Sequence, residues 1–285
     1  MADRSVESYY DRNTSFFLRF GSSQYTRAIH RSLWPPGITQ LSEALNVSNE
    51  MVYRELKNLI KAQSLAEIHM IDLGCGVGDS LKYQMQRVSL PARAVGVTIS
   101  SFQARLAAQY IRQLGLSNSC LILAADFHHL PVTHGINLAF SIEAFVHSNN
   151  PSLFFQNVAR ILNRGGRLVI CDDFKVISGV HPSIQQTRWL TAYQHGWNIS
   201  NLLSVDDTIG YAYDAGLAIY SQTNLTPWLR LKSLPDHIAS MLLMAGEFMQ
   251  SIHPIIPSML GSIALQQCLQ AGWVEYKFLV FERSQ

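Results

Sequence analysis

Apolar residues in this chain gather in short runs bounded by polar turns, and between the runs they return at helical spacing. The first run begins at Ile68 and passes through HMIDLGCGVGDS (His69–Ser80), where Gly74, Gly76 and Gly78 close it at alternate positions. A second helical pattern follows, and then the short apolar stretch Ala94–Thr98 within VGVTISSFQ (Val95–Gln103). LILAADFHHLP (Leu121–Pro131) reads as a buried strand ending in Asp126, and NLAFSIEAFVHSNN (Asn137–Asn150) as a fourth strand with its loop. LFFQNVARILNRGGRLVICDDF (Leu153–Phe174) reads as an amphipathic helix, an Arg-Gly-Gly turn and a fifth strand. Strands alternating with helices predict an α/β fold.

Outside this stretch the pattern changes. Helices are expected near Ser5–Phe20 and Gln40–Ala62, separated by Gly21–Gly37, where Pro35, Pro36 and Gly37 forbid helix continuation. Lys175–Thr223 is too long for an ordinary connection. Beyond it, NLTPWLRL (Asn224–Leu231) and VEYKFLVFER (Val274–Arg283) read as strands flanking a helical run, Leu234–Gln270.

Composition narrows the setting. With 285 residues and 48% apolar content, the chain can bury one large α/β core with additions. A net charge of +2 gives no electrostatic footprint for nucleic acid or an anionic bilayer. MADRSVESYYDR at the start lacks the apolar core of a signal peptide, and no stretch is long and apolar enough to span a membrane, so a soluble, cytoplasmic protein is expected. Cys75, Cys120, Cys171 and Cys268 lie far apart with no metal-ligand spacing, and read as reduced core cysteines.

The chemistry concentrates in the glycine turn. Glycine takes positive φ and lets a ligand approach bare backbone, while Asp72 just before the turn offers an acceptor to a cationic amine. Dinucleotide sites favour Gly-x-Gly-x-x-Gly followed by an acid at the end of the next strand. Here the spacing is Gly-x-Gly-x-Gly, and the next strand ends in Thr98.

On these residues, in order from Ile68 to about Phe174, the sequence resembles the class I S-adenosylmethionine-dependent methyltransferases. GVTIS..Q is similar to the subgroup of tocopherol, cyclopropane-fatty-acid, prenyl-diphosphate and natural-product methyltransferases. The resemblance implies a Rossmann-like seven-stranded sheet of order 3-2-1-4-5-7-6, a helical N-terminal cap over residues 1–65, and a core over 66–285 with lid insertions about 175–223 and 232–270. It assigns Asp72, Gly74, Cys75, Gly76 and Gly78 to the methionine moiety. Thr98, Ile99, Ser100 and Gln103 go to the ribose, and Asp126 and Phe127 to the adenine. Tyr10 and Asp11 look like the Tyr-Asp of an N-terminal helix that folds over the cofactor.

Methyl transfer asks the protein to align acceptor and methyl, exclude water and remove a proton where the acceptor carries one. Glu143 and His147, at i and i+4, would share one face of a helical turn near the methyl, with Glu143 counted toward cofactor and catalysis alike. The plainer alternative is that Glu143 bonds local backbone and His147 shapes the adenosine pocket. Tyr193 is a candidate acid or cation-stabilising ring, or else lid core. Arg27, His30 and Arg31, beside Trp34, would grip a phosphate or carboxylate, or else are solvated loop charges. Arg188, Tyr193, His195 and Trp197 form a second cluster in the lid. His128 and His129 are placed at the surface or the cofactor rim, and His253 with Met241–Met249 on a helix packed against the pocket.

A nucleic-acid methyltransferase would carry Asn/Asp-Pro-Pro-aromatic at the fourth strand and a basic face, whereas this chain has SIEA and near-neutral charge. The expectation is therefore methylation of a hydrophobic small molecule, foremost an alkene carbon of an isoprenoid diphosphate, with magnesium carried by the diphosphate. The alternatives are O- or N-methylation of a natural product and non-catalytic S-adenosylmethionine binding. A homo-oligomer is compatible with the sequence.

Overall fold

Seven strands, β1 (Ile68–Leu73), β2 (Ala92–Thr98), β3 (Cys120–Ala124), β4 (Ile136–Ile142), β5 (Leu162–Lys175), β6 (Leu217–Asn224) and β7 (Val274–Arg283), form one sheet in the order β3-β2-β1-β4-β5-β7-β6. The first five strands pair in parallel, and β7 runs antiparallel between β5 and β6. This is the expected order. The computed structural model describes residues 4–20, 30–176, 182–232, 235–249 and 255–284.

Helices cover both faces because the central strands are apolar on both. Every residue of β4 is buried. On one face, α3 (Val47–Gln63), α4 (Asp79–Arg87) and α5 (Ser101–Gln113) set Val52, Leu56, Leu59, Leu81 and Ile111 against Met70, Leu138, Phe140 and Val169. On the other, α6 (Pro151–Ile161) and α8 (Val205–Asp214) bring Phe154, Phe155, Val158 and Ala212 against Ile71, Leu168, Ile170 and Phe281. Side-chain caps define several starts: Ser100, Asn150 and Ser204 accept from the backbone amides of Gln103, Leu153 and Asp207, each worth about 1 kcal/mol.

A third apolar cluster lies outside these layers. α7 (Ile184–Gly196), α9 (Asp236–Met249) and α10 (Ile256–Gln270) bury Trp189, Leu190, Tyr193, Leu243, Leu260 and Ala264 among themselves. α7 and α10 approach closely enough that a Cβ on Gly196 would meet the Cα of Gly261 at 2.5 Å. α1 (Arg4–Phe20) and the one-turn α2 (Leu41–Ala44) complete the elements.

Four expectations shift. The sixth strand is Leu217–Asn224 rather than Asn224–Leu231. Pro227 has no amide for a ladder, and Asn224 Oδ1 accepts from the Thr226 amide at 3.0 Å, so the chain turns at Thr226–Trp228 instead. With β6 earlier, α8 is a core helix, and the part of this insertion outside the sheet layers is the α7 region, shorter than 175–223. α3 likewise packs in the core layer rather than in a cap. Finally, Met241 and Met244 of α9 point to solvent, 63% and 56% exposed, while Ala239 and Leu243 turn inward. His253 lies outside the described residues.

Candidate active site

A cavity of about 410 Å³ opens at the carboxyl ends of β1, β4 and β5, lined in addition by residues of α1, α7 and α10. The glycine turn forms one wall. The amides of Gly74 and Cys75 both donate to Val97 O at 2.8 Å, folding the turn back over β2. Gly74, Gly76 and Gly78 all take positive φ, at 94°, 52° and 85°. A Cβ at Gly74 would meet the Ala144 Cβ at 2.2 Å, whereas at Gly76 it would meet nothing within 4 Å. Gly74 is thus required by packing, and Gly76 lines the cavity with bare backbone.

Asp72 ends β1 in the same wall. It is 2% exposed, its Oδ2 has no hydrogen-bond partner among the described residues, and burial pushes its carboxyl well above the usual range. An unpartnered carboxylate beside open backbone fits the ammonium of an amino-acid moiety. Cys75 packs its thiol over Gly96, where an added Cβ would meet Sγ at 2.9 Å; burial pushes this thiol up as well.

The segment after β2 behaves differently from expectation. Thr98, Ile99 and Gln103 line the cavity, but Ser100 is wholly buried and does not. Thr98 Oγ1 donates to Gln103 Oε1 at 2.9 Å, Gln103 Nε2 donates to Thr14 Oγ1 at 3.0 Å, and Ser100 Oγ donates to Asp11. These polar groups fasten α1 to the rim of the site. Asp126 and Phe127 line the far end, with Asp126 Oδ1 accepting from the amide of His128 at 2.9 Å. Burial acts to raise the Asp126 carboxyl, but its bonds from His128 hold it below the usual range.

The opposite end of the cavity is built around Arg31. Leu33 is fully buried and the Trp34 amide donates to Trp228 O at 2.7 Å, which pins this segment across the strand ends. Arg31 Nη1 and Nη2 donate to the two oxygens of Asp173 at 2.8 and 2.7 Å, and its backbone N and Nε donate to Glu143 Oε1 at 2.9 and 3.3 Å. The guanidinium lies 4.2 Å from the Tyr276 ring centroid. Tyr276 donates to Glu143 at 2.8 Å, and Tyr193 donates to Asp173. Burial works against the Arg31 charge, yet Asp173 and Glu143 outweigh it and keep the group cationic. Glu143 feels the same balance in reverse, with burial overcome by Arg31, and stays below the usual carboxylate range. Burial raises the phenols of Tyr193 and Tyr276 well above theirs.

Next to this network, Asp172 accepts from the amides of Val146 at 3.0 Å and Asp173 at 2.9 Å. Burial, then the Asp173 charge, pushes its carboxyl up to about 8. Three carboxyl groups therefore face the cavity here with one guanidinium among them, and that guanidinium is engaged.

The structure redistributes the remaining candidates. Glu143 sits at φ 52° and Ala144 is not helical, so the i, i+4 helical face does not exist. Glu143 reaches Arg31 and Tyr276, while His147 Nε2 is hydrogen-bonded to the Tyr10 hydroxyl at 2.8 Å. His147, Tyr10, His30, Arg31, Tyr193 and Trp197 all line the cavity. Arg188 does not: it is exposed on α7, with Nη1 3.4 Å from Ser240 Oγ, because its helical position faces away from Tyr193. His195 is exposed too. Trp34 lies behind the rim, its indole donating to Ser32 and its ring carrying the Arg230 guanidinium at 3.4 Å. Arg27 lies outside the described residues. His128 is buried and lines the cavity, whereas His129 is largely exposed.

Sequence reasoning passed over Asp172, Asp173, Tyr276 and Arg230. The adjacent acids at the end of an otherwise apolar fifth strand were a usable signal. Tyr276 alternates unremarkably along β7, and Arg230 falls in a segment expected to be strand.

Known proteins agree with this geometry. Residues 64–205, about half of the chain, match the family model described as a methyltransferase domain. Methyltransferase GfsG of Streptomyces halstedii is 28% identical over 172 residues, 59% of this chain and 58% of that protein, so the match spans little more than half of that relative. A solved cyclopropane synthase from Mycobacterium tuberculosis has a TM-score of 0.76 at 16% identity, covering 99% of both chains. A geranyl diphosphate methyltransferase solved with GPP and sinefungin has a TM-score of 0.74 at 18% identity, covering 98% of both. On the matched domain, the strand order and the glycine turn with Asp72, the chain belongs to the class I S-adenosylmethionine-dependent methyltransferases.

Proposed function

We propose that this protein transfers the methyl group of S-adenosylmethionine to a hydrophobic small molecule, at an alkene carbon of an isoprenoid. The acid-rich end of the cavity carries this reading. Asp72 would hold the ammonium of the cofactor's amino-acid end and Asp126 the amino group of its adenine, with Gly76 giving backbone access between them. Bound there, the cofactor supplies a methyl group that is already activated.

Methylation of an alkene leaves positive charge on the acceptor, and Glu143 and Asp173 bring negative charge to that end against the single guanidinium of Arg31. The rings of Tyr193 and Trp197 also line it and can face a cation. Glu143, kept ionised by Arg31, is the group placed to take a proton from the methylated product. His147 and Tyr10, hydrogen-bonded to each other on the cavity wall, would help exclude water.

A prenyl diphosphate carrying magnesium is the narrower form of the reading. The likeness to a geranyl diphosphate methyltransferase supports it, as does Arg230 at the cavity rim. Arg31 is committed to Asp173 and Glu143, whose charges offset its own, so it adds little to a diphosphate grip. Methylation of a hydroxyl or amine is the second reading, favoured by the two phenol–carboxylate pairs that can accept a proton.

Incubation with methyl-labelled cofactor and a panel of prenyl diphosphates, neutral isoprenoids, phenols and amines separates these. Label on an isoprenoid carbon is expected, with Glu143→Gln lowering turnover about 100-fold while S-adenosylhomocysteine affinity changes little. Label on oxygen or nitrogen alone selects the second reading, and no transfer to any acceptor leaves a binding protein.

A further inference from the structure

The far end of the cavity contains a hydrogen-bonded relay that the methyl-transfer chemistry does not use. Ser148 Oγ lies 2.8 Å from His128 Nε2, and His128 Nδ1 lies 2.8 Å from Asp126 Oδ1. The three residues come from separate places: Asp126 follows β3, His128 sits in the single turn Phe127–His129, and Ser148 ends the turn after β4. His128 is further held by its own backbone, whose carbonyl accepts from Asn157 Nδ2 at 2.6 Å, and its ring packs edge-on against Phe127 at 4.8 Å.

Serine, histidine and aspartate in this order invite comparison with a nucleophilic triad. Burial rules that use out. Ser148 is 1% exposed and does not line the cavity, so no substrate reaches its oxygen. Asp126 and His128 do line it, which leaves the cavity end of the relay as its working end.

Proton bookkeeping fixes the direction. An ionised carboxylate only accepts, so His128 Nδ1 carries the proton given to Asp126. A ring that carries this single proton accepts at Nε2, where Ser148 then donates. Asp126 Oδ1 receives both the His128 amide and the His128 ring, at 2.9 and 2.8 Å, and is saturated. Among the described residues, Oδ2 is approached by the distant His129 ring, at 3.9 Å. One oxygen is thereby tethered, which leaves the other for a ligand of the cavity that Asp126 lines.

We infer that His128, set by Ser148, is a positioning residue that locks the Asp126 carboxylate so that its second oxygen reads an exocyclic amino group on the bound purine. This rests on the adenosyl reading of the cavity. It makes the relay a discriminator between 6-amino and 6-oxo purines, because an Asp126 acceptor held in place attracts an amino hydrogen and repels a carbonyl.

Calorimetry with S-adenosylhomocysteine and its 6-oxo counterpart, S-inosylhomocysteine, tests it. The unaltered protein should prefer the amino form by about tenfold or more, and His128→Phe should reduce that preference to within about threefold. His128→Asn, which keeps a donor near the Nδ1 position, should retain most of the preference. In an Asp126→Asn background, His128→Phe should change the preference by less than about twofold. Nitrogen NMR should show the Nδ1-protonated neutral ring, with the second tautomer gaining population in Ser148→Ala. A folded His128→Phe that weakens both ligands equally, or that keeps the full preference, overturns the inference, as does an Nε2-protonated neutral ring. Should the unaltered protein bind neither ligand, the cofactor reading itself fails first.

Discussion

Asp72 derives its chemistry from burial: with no partner for Oδ2, its carboxyl favours the protonated form until a cation arrives. Binding of S-adenosylhomocysteine at a pH between the ordinary carboxylate range and this raised value should therefore release a proton from the group. Calorimetry in buffers of different ionisation enthalpy should measure that release, and Asp72→Asn should abolish it while weakening binding about tenfold or more. Equal release in the variant would place the ionisation elsewhere. Residues such as Asp72 and Gly76 were legible in the sequence because their chemistry depends on a turn of a few adjacent positions. Arg31 was legible as a pocket residue, but its partners Glu143 and Asp173 lie 112 and 142 positions away. A loop arginine that reads as free for a phosphate is instead the internal counter-ion of the acids.

Among the elements, α1 shows how a cofactor-like motif came to serve two ends. Thr98, Ser100 and Gln103 were read as ribose contacts, and the structure bonds them to one another and to Asp11 and Thr14 of α1. Tyr10 adds the link to His147. Thr14→Val keeps the shape of α1 but leaves the buried Gln103 amide without its acceptor, a cost of about 1–3 kcal/mol. Faster hydrogen exchange across α1 and weaker S-adenosylhomocysteine binding should follow; unchanged exchange would show that α1 is held by other contacts. β6 was misplaced for a related reason. As an edge strand it is exposed from Ala218 to Asn224 and carries no apolar signature, whereas the apolar NLTPWLRL earned its pattern by packing on the core and the cavity rim.

At the scale of the whole molecule, the sheet order was implied by the family resemblance, while β1, β4 and β5 were legible as apolar runs because they are buried along most of their length. The helices α7 and α10 were less legible because they bury aromatics and small residues on one side and line a cavity on the other, which blurs their periodicity. Gathering acids in that cavity has a consequence for stability. Asp172, raised to about 8, holds a proton in the folded protein that the unfolded chain has lost, so stability falls as pH rises from the ordinary carboxylate range to about 8. Glu143 and Asp126 are lowered, so their contribution is present above the ordinary range and is lost as pH falls through their folded values. Thermal midpoints should accordingly peak near about pH 5 and decline toward pH 8, with the alkaline decline flattened in Asp172→Asn. A midpoint that climbs steadily to pH 8 would refute this distribution of protons.

The binding consequences depend on the cavity between Asp72 and Asp126 being an adenosyl cofactor site. Titration calorimetry of the full chain with S-adenosylhomocysteine addresses that claim directly. One molecule should bind per chain, and both Gly76→Val, which fills the open backbone wall, and Asp126→Ala should weaken binding about tenfold or more. Binding that is absent from the unaltered protein, or undiminished in both variants, would contradict it.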